Sequence, residues 1–248
     1  MPNTIINETF KNKLIDSLDV NPANWSDEIK AGINKVKRKD IEQPVIFVGA
    51  GTCGLGAGAG ETLEKINEYL TENNIEADIE QVGCIGFCVE EPLVDIQMPG
   101  RTRLSFSEIT EDKVEDLLDG MFNGEVPQEN LLGQFEDEDL KPYPELPYLK
   151  QHDFFKDQTR IVLPNCGKID PESLEEYIAH GGYRGLAKIL KTKTPEELCE
   201  MVEESGLRGR GGGGFPTGTK WKFALNTAAS QKYFVCNADE GDPGAFMD

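Results

Sequence analysis

Apolar positions recur at helical spacing near the start of the chain. Ile5, Ile6, Phe10, Leu14 and Leu18 share one face, Pro22 interrupts, and Trp25, Ile29, Ile33 and Val36 resume the pattern. This predicts an amphipathic helical hairpin over residues 5–39 that packs on a neighbour. Pro44–Val48 is a compact apolar run of buried-strand type, followed by a glycine-rich turn and a helix from Glu61 to about Thr71. A second strand is expected over Ala77–Val82, ending at Gly83-Cys84. Leu93–Ile96 and Arg103–Phe106 read as a third and fourth strand across a Pro99-Gly100 turn, and Glu111–Leu118 as a closing helix. The order β-α-β-β-β-α predicts a compact α/β domain.

Beyond that helix the pattern fades. Residues 111–145 are dense in acids, opposed by Lys113 and Lys141, and Pro127, Pro142, Pro144 and Pro147 follow one another closely. Composition alone makes this a solvated, loosely ordered connector. Helical patterns return at Pro171–Ala179 and Tyr183–Leu190. A third helix is expected from Thr194 as N-cap and Pro195 in its first turn, through Val202, to a stop at Gly206. Lys220–Phe223 reads as helix and Lys232–Cys236 as a strand.

The 248 residues suffice for one large domain or two ordinary ones. No apolar stretch approaches the ~18–20 residues of a membrane helix. The N-terminus has neither the basic start nor the apolar run of a secretory signal, so a cytoplasmic setting is expected. A net charge of −20 argues against nonspecific binding to nucleic acid or to an anionic membrane. The acidity is uneven. From Gly206 onward Arg208, Arg210, Lys220, Lys222 and Lys232 face only Asp239, Glu240, Asp242 and Asp248, so this tail is least hostile to an anionic ligand. Six cysteines without an export signal point to reduced thiols, metal ligands or a redox site rather than disulfides.

Two glycine-rich loops carry candidate chemistry. Gly49-Ala-Gly51-Thr-Cys-Gly54 fits G-x-G-x-x-G between a strand and a helix, the context of a dinucleotide-binding turn, with Asp78 or Glu80 as the acidic residue further on. Cys53 inside that loop and Cys84-Ile-Gly-Phe-Cys88 at the end of the next strand favour metal chemistry instead. Thiolates are soft ligands for iron–sulfur clusters or zinc, and the alternative is three structural thiols.

In the second loop, Gly209, Gly211 and Gly214 again fit the spacing, but a helix precedes it and Phe215-Pro216 follows. No Lys-Ser or Lys-Thr follows Gly218, which excludes a Walker A loop. Seven glycines within Gly206–Gly218 suit close approach of a ligand to the main chain. Exposed amides beside Arg208, Arg210 and Lys220 would suit a phosphate and a flat ring, the alternative being a flexible linker. Asp239, Glu240 and Asp242 suit ribose hydroxyls and Asn237 a ring edge, unless this is a solvated acidic turn.

Gly206-Leu-Arg-Gly-Arg-Gly-Gly-Gly-Gly-Phe-Pro-Thr-Gly-Thr-Lys-Trp221 together with Cys236-Asn-Ala-Asp-Glu-Gly-Asp-Pro-Gly-Ala-Phe246 resembles the FMN- and NADH-binding, NuoF-type (51 kDa) subunit of complex I. The likeness extends to the long relatives with an added N-terminal ferredoxin domain, the beta subunits of NAD(P)-linked [FeFe]-hydrogenases and similar formate dehydrogenase subunits. Asn165–Glu172 and Gly181–Leu186 resemble the same group, and the likeness covers about residues 44–248. It implies an N-terminal helical segment at 1–40, a thioredoxin-like [2Fe–2S] ferredoxin domain at 41–122, the acidic connector at 123–170, and an incomplete α/β FMN/NADH-binding domain at 171–248.

By the same resemblance, Gly209, Arg210, Gly211 and Lys220 are flavin contacts, and Asn237, Asp239 and Glu240 form a second set. Gly212, Phe215, Phe223 and Asp242 lie on the NADH side. Asp242 stands where many relatives carry Glu. The ferredoxin domain of the family commonly uses C-x4-C then C-x3-C. Here Gly58 stands in the second place, so Cys53, Cys84 and Cys88 are the metal ligands and Cys166, in the connector, has no evident claim to the fourth. The family continues beyond the position of Asp248 with the rest of the flavin pocket and a [4Fe–4S] site, so an N-terminal fragment or one piece of a split subunit is expected.

The implied activity is electron transfer between NAD(P)H, FMN and iron–sulfur clusters within a multisubunit oxidoreductase, with other subunits, iron–sulfur proteins among them, as partners. The flavin takes two electrons together and releases them singly, so no catalytic side chain is assigned. Two other readings remain open at this stage. One is a non-catalytic iron–sulfur relay or docking piece whose flavin site another chain completes. The other is a dinucleotide-binding protein using Gly49–Gly54.

Overall fold

The computed structural model describes residues 8–161, 163–210, 212–233 and 235. They fall into two compact units, Met1–Gly182 and Tyr183–Asp248.

The first unit opens with the expected hairpin, α1 (Glu8–Asp16) and α2 (Asp27–Val36), separated by a 3-10 turn at Pro22–Asn24. Ser26 caps α2, its hydroxyl accepting from the Ile29 amide at 3.3 Å and satisfying one of the free N–H groups of the first turn. Leu14, Ile33 and Val36 are the inward positions, and they bury against Ile178 and Ala179 much later in the chain.

The α/β core follows. Its elements are β1 (Val45–Gly49), α3 (Thr52–Gly56), α4 (Ala59–Glu72), β2 (Asp78–Val82), β3 (Val94–Gln97), β4 (Leu104–Phe106) and α5 (Val114–Asn123). A further strand, β5 (Leu131–Gln134), completes a five-stranded sheet of order β2-β1-β3-β4-β5. β1 and β2 are parallel across the α4 crossover, and every other pair is antiparallel. Alternation along β1 sorts its side chains. Ile46 and Val48 join Ile66, Tyr69, Leu117 and Leu118 under α4 and α5, while Val45 and Phe47 face the opposite side with Val82.

The structure corrects the reading of a loosely ordered connector. Within it lies β5, whose Gln134 is 1 % exposed. That amide is fully satisfied. Its Oε1 accepts from the Thr102 hydroxyl (2.9 Å) and the Tyr143 amide (2.8 Å), and its Nε2 donates to the carbonyls of Tyr143 (2.9 Å) and Leu146 (2.8 Å). A buried polar group with four partners costs little and fixes the acidic segment to the sheet. Gly133 has φ +147, and a Cβ there would lie 2.8 Å from the Pro147 carbonyl oxygen, so the strand and the returning chain need glycine. The unit closes with α6 (Leu174–Ala179), where the Ser173 hydroxyl accepts from the Glu176 amide. The compact unit thus runs to Gly182, past the boundary at residue 170 expected from sequence.

The second unit contains α7 (Arg184–Thr192), α8 (Pro195–Glu204) and α9 (Thr217–Asn226). The start of α8 is as expected. Thr194 and Glu197 form a capping box and Pro195 occupies the first turn. Gly218 has a packing role, since a Cβ there would lie 2.4 Å from the Glu203 amide nitrogen of α8. Of the strand expected over Lys232–Cys236, the described residues Lys232, Tyr233 and Val235 are irregular, and Phe234 and Cys236 lie outside the described residues. No described helix is long and apolar enough to cross a membrane.

Candidate functional site

Two loops at one edge of the sheet bring three thiols together. Cys53 is carried by α3 just after β1, and Cys84 and Cys88 by the turn after β2; their sulfur atoms all lie within 4.8 Å of one another. The parallel β1–β2 pairing places both loops at the C-terminal ends of adjacent strands, which explains why positions 31 residues apart converge. The Sγ atoms of Cys84 and Cys88 are 3.7 Å apart, and the Gly86 amide donates to Cys84 Sγ at 3.2 Å. An amide aimed at sulfur is what a ligating thiolate requires. Burial raises the Cys84 thiol pKa, while the Gly86 amide works in the other direction. The Cys88 pKa is raised chiefly by its hydrogen bond with Cys53. Three thiols this close resist simultaneous ionisation, and a cation between them removes that penalty.

The donor set therefore fits a thiophilic metal. A [2Fe–2S] cluster takes four protein ligands, and the triad supplies three. Gly58 precedes α4 with φ +107, a backbone that disfavours a side chain at the place where the family pattern has cysteine. All five described cysteines are free thiols, as the absence of an export signal suggested. Cys166 does not join the triad.

The first G-x-G-x-x-G turn is occupied by packing. A Cβ on Gly54 would lie 2.0 Å from the Gly49 carbonyl oxygen and 3.2 Å from Glu91 Oε2. Glu91 is 7 % exposed, and its Oε2 accepts from the Leu93 amide at 2.8 Å while Oε1 has no partner. A buried carboxylate beside this turn opposes a diphosphate there. The structure therefore favours the metal reading of Gly49–Gly54 over the dinucleotide reading.

Sequence reasoning missed the cover over the thiol loop. Phe87, next to Cys88, is stacked on Phe154 (ring centroids 4.3 Å) and meets Phe155 edge-on (5.5 Å) and His152 (5.2 Å). Arg160 donates to the Ile85 carbonyl. All four partners come from the segment read as connector. The run His152-Asp-Phe-Phe155 was the one apolar signal in that segment that could have disclosed this role.

In the second unit the glycine loop closes at its base. Arg208 and Pro216 form an antiparallel bridge, the Gly209 amide donates to the Phe215 carbonyl at 2.8 Å, and the Thr217 amide to Leu207 at 2.9 Å. The tip stays open. Among the described residues, the amides of Arg210, Gly212, Gly213 and Gly214 have no hydrogen-bond acceptor. Gly212 and Gly214 take positive φ, +85 and +57, which favours glycine at both. Phe215 and Phe223 are brought together, ring centroids 6.3 Å apart, and both are exposed. Lys220 is an exposed position at the start of α9. An open set of amides with a cationic margin is the kind of surface an anionic ligand uses. Gly211, Asn237, Asp239, Glu240 and Asp242 lie outside the described residues.

Comparison with known proteins adds identity to these shapes. Residues 202–248 match the Nuo51 FMN-binding domain family. The chain is 64 % identical over 93 residues to the NADP-reducing hydrogenase subunit HndC of Solidesulfovibrio fructosivorans, covering 38 % of this chain and 19 % of that protein. It is 42 % identical over 109 residues to an NADH-quinone oxidoreductase subunit of Aquifex aeolicus, covering 44 % and 24 %. Among solved structures, the thioredoxin-like [2Fe–2S] ferredoxin from Aquifex aeolicus aligns with a TM-score of 0.33 at 16 % identity, over 39 % of this chain and 96 % of that one. An NAD+-reducing [NiFe]-hydrogenase aligns with a TM-score of 0.34 at 18 % identity, over 96 % and 40 %. The chain is therefore a relative of the NuoF-type and HndC subunits, and it spans about a fifth of the length of the curated relatives it matches.

Proposed function

We propose that this chain is part of an NAD(P)H:FMN electron-transfer subunit of a multisubunit oxidoreductase of the cytoplasm, of hydrogenase, formate dehydrogenase or complex I-like type. The observation that carries the reading is the coexistence, in one chain, of a three-thiol cluster and an open glycine loop inside a segment matched to an FMN-binding family. Flavin links a two-electron hydride donor to one-electron iron–sulfur carriers.

On this reading, Gly209, Arg210, Gly211 and Lys220 hold the flavin nucleotide, joined by Asn237, Asp239 and Glu240. Gly212, Phe215, Phe223 and Asp242 border the nicotinamide nucleotide. The open amides of the loop supply donors to phosphate, and Phe215 and Phe223 supply apolar faces. Cys53, Cys84 and Cys88 supply three thiolates to a [2Fe–2S] cluster, and the Phe87–Phe154–Phe155 stack shields that loop from water. Partner subunits carrying further iron–sulfur centres would take the electrons onward.

Anaerobic reconstitution of the chain with iron and sulfide, followed by iron, acid-labile sulfide and visible absorption measurements, tests the thiol assignment. Flavin retention by the complete polypeptide, compared with its Gly211→Trp variant, tests the loop. Iron and sulfide retained together, with flavin lost only in the variant, is the expected result. Normal flavin binding by Gly211→Trp would overturn the pocket assignment.

A further inference from the structure

The face of the sheet opposite α4 and α5 borders a cavity of about 630 Å³ in the first unit, for which the electron-transfer reading has no use. Its wall includes Phe47, with the Arg103 guanidinium 3.6 Å from the ring centroid and that of Arg38 5.3 Å away. In a chain of net charge −20 this space is lined by an unusual gathering of cations.

Most of them are neutralised. Arg38 pairs with Glu80 (2.8 Å) and Glu176 (2.7 Å), and Arg103 with Asp95. Lys39 pairs with Asp137 and Lys150 with Glu136, which engages the two carboxylates on the cavity wall. Lys37, Arg160 and Lys168 also line the cavity, and none has a carboxylate at ion-pair distance among the described residues.

The surroundings of these three are cationic. Lys168 is accessible within the recess, and its ammonium pKa is lowered by burial and then by Arg103 and Arg160. Lys37 is lowered by burial and by Lys39, and the His180 imidazole by burial, Lys37 and Arg38, against the opposing pull of Glu176. Like charges held around a concave, partly desolvated space destabilise one another, and an anion between them reverses the sign of that energy. The same wall offers a ring surface, because Phe155 lies under the Arg160 guanidinium at 5.2 Å. The volume falls within the ~300–1,000 Å³ of small-molecule sites.

We propose that this cavity binds a nucleoside phosphate, its phosphate at Arg160 and Lys168 and its base against the Phe155–Arg160 pair. A phosphate with an attached aromatic ring matches both features, and an isolated phosphate leaves the aromatic wall unused. The site lies in the unit that does not contain the glycine loop, so it stands whether or not the flavin reading holds.

The test is equilibrium dialysis of the full chain against ADP, with adenosine and inorganic pyrophosphate in parallel. ADP should be retained, adenosine should not, and affinity should fall as salt rises. Lys168→Met and Arg160→Met, with unchanged far-ultraviolet circular dichroism, should each weaken ADP binding by roughly tenfold, the worth of one charge-assisted contact. Pyridoxal phosphate followed by borohydride should label Lys168, with protection by ADP. No retention of ADP, retention of pyrophosphate in preference to ADP, or ADP binding insensitive to both substitutions would each overturn the proposal, the last even if ADP occupied the glycine loop.

Discussion

Arg38 and Glu176 stand 138 positions apart and meet through a 2.7 Å hydrogen bond from Nη2 to Oε1. The same guanidinium reaches Glu80 Oε1 at 2.8 Å, so one buried cation ties the end of the N-terminal hairpin to β2 and to α6. Glu176 Oε2 accepts in turn from the Asp170 amide at 3.0 Å. This cluster makes the first forty residues and residues 171–182 parts of one body.

Removing Arg38 alone would strand two acidic side chains in the interior. Arg38→Met is expected to destabilise the first unit by about 3–5 kcal/mol, the scale for breaking a buried pair from one side. Arg38→Met combined with Glu176→Gln should recover part of that loss. Urea unfolding followed by circular dichroism checks both, and a single variant within about 1 kcal/mol of wild type would show the cluster to be energetically idle.

Tyr69 gives a pH signature. Its phenol pKa is pushed up to about 12, first by burial, then by the hydrogen bond to Asp119 Oδ1 at 2.5 Å and by that carboxylate's charge. A phenol whose folded pKa exceeds its unfolded value near 10 lends stability that is whole below about pH 10 and is lost as pH rises through the folded pKa. The urea midpoint of the wild type should therefore fall between about pH 10 and 12 more steeply than that of Tyr69→Phe. Absorbance near 295 nm should show one late phenol missing in the variant.

The strands β1 to β4 and the helices α4, α5 and α8 were legible because their apolar positions, caps and turns agree with one another. β5 was not, since Leu131-Leu132-Gly133-Gln134 sits among acids and its buried member is an amide whose four partners are nonlocal. α3 was hidden by its glycines, which local propensity reads as loop but which Gly54 needs for contact with the Gly49 carbonyl. The thiol triad was legible from loop position alone. Its aromatic cover was not, because Phe87 meets residues some 65 positions away through a segment that composition marks as solvent-exposed. Gly218 was read with the ligand loop and turns out to serve helix contact.

Gly218→Ala tests that last distinction. The added methyl would lie 2.4 Å from the Glu203 nitrogen and 2.5 Å from its Cα, so α8 and α9 must separate. A loss of about 1–3 kcal/mol is expected, the usual range for overpacking. Gly213→Ala, where a Cβ meets nothing within 4 Å, should leave stability nearly unchanged. Thermal unfolding of the two variants side by side separates a packing glycine from an open loop glycine. Equal losses would place the cost in the backbone rather than in the helix contact.

The triad makes a sharper prediction about metal. Cys53, Cys84 and Cys88 are reached from two loops, so each sulfur closes the cluster from a different direction, and a serine hydroxyl is a harder, less acidic donor than a thiol. Cys53→Ser, Cys84→Ser and Cys88→Ser should each lower iron and sulfide retention after anaerobic reconstitution and bleach the visible absorption. Cys199→Ser should not, because that thiol is buried on α8 in the other unit. Retention should also fall on acidification, since protons compete for thiolates whose apo pKa values are already raised at Cys84 and Cys88. If Cys53→Ser kept its full iron while Cys84→Ser and Cys88→Ser lost theirs, the metal would rest on the C-x3-C pair, and convergence of the two loops would be packing rather than ligation.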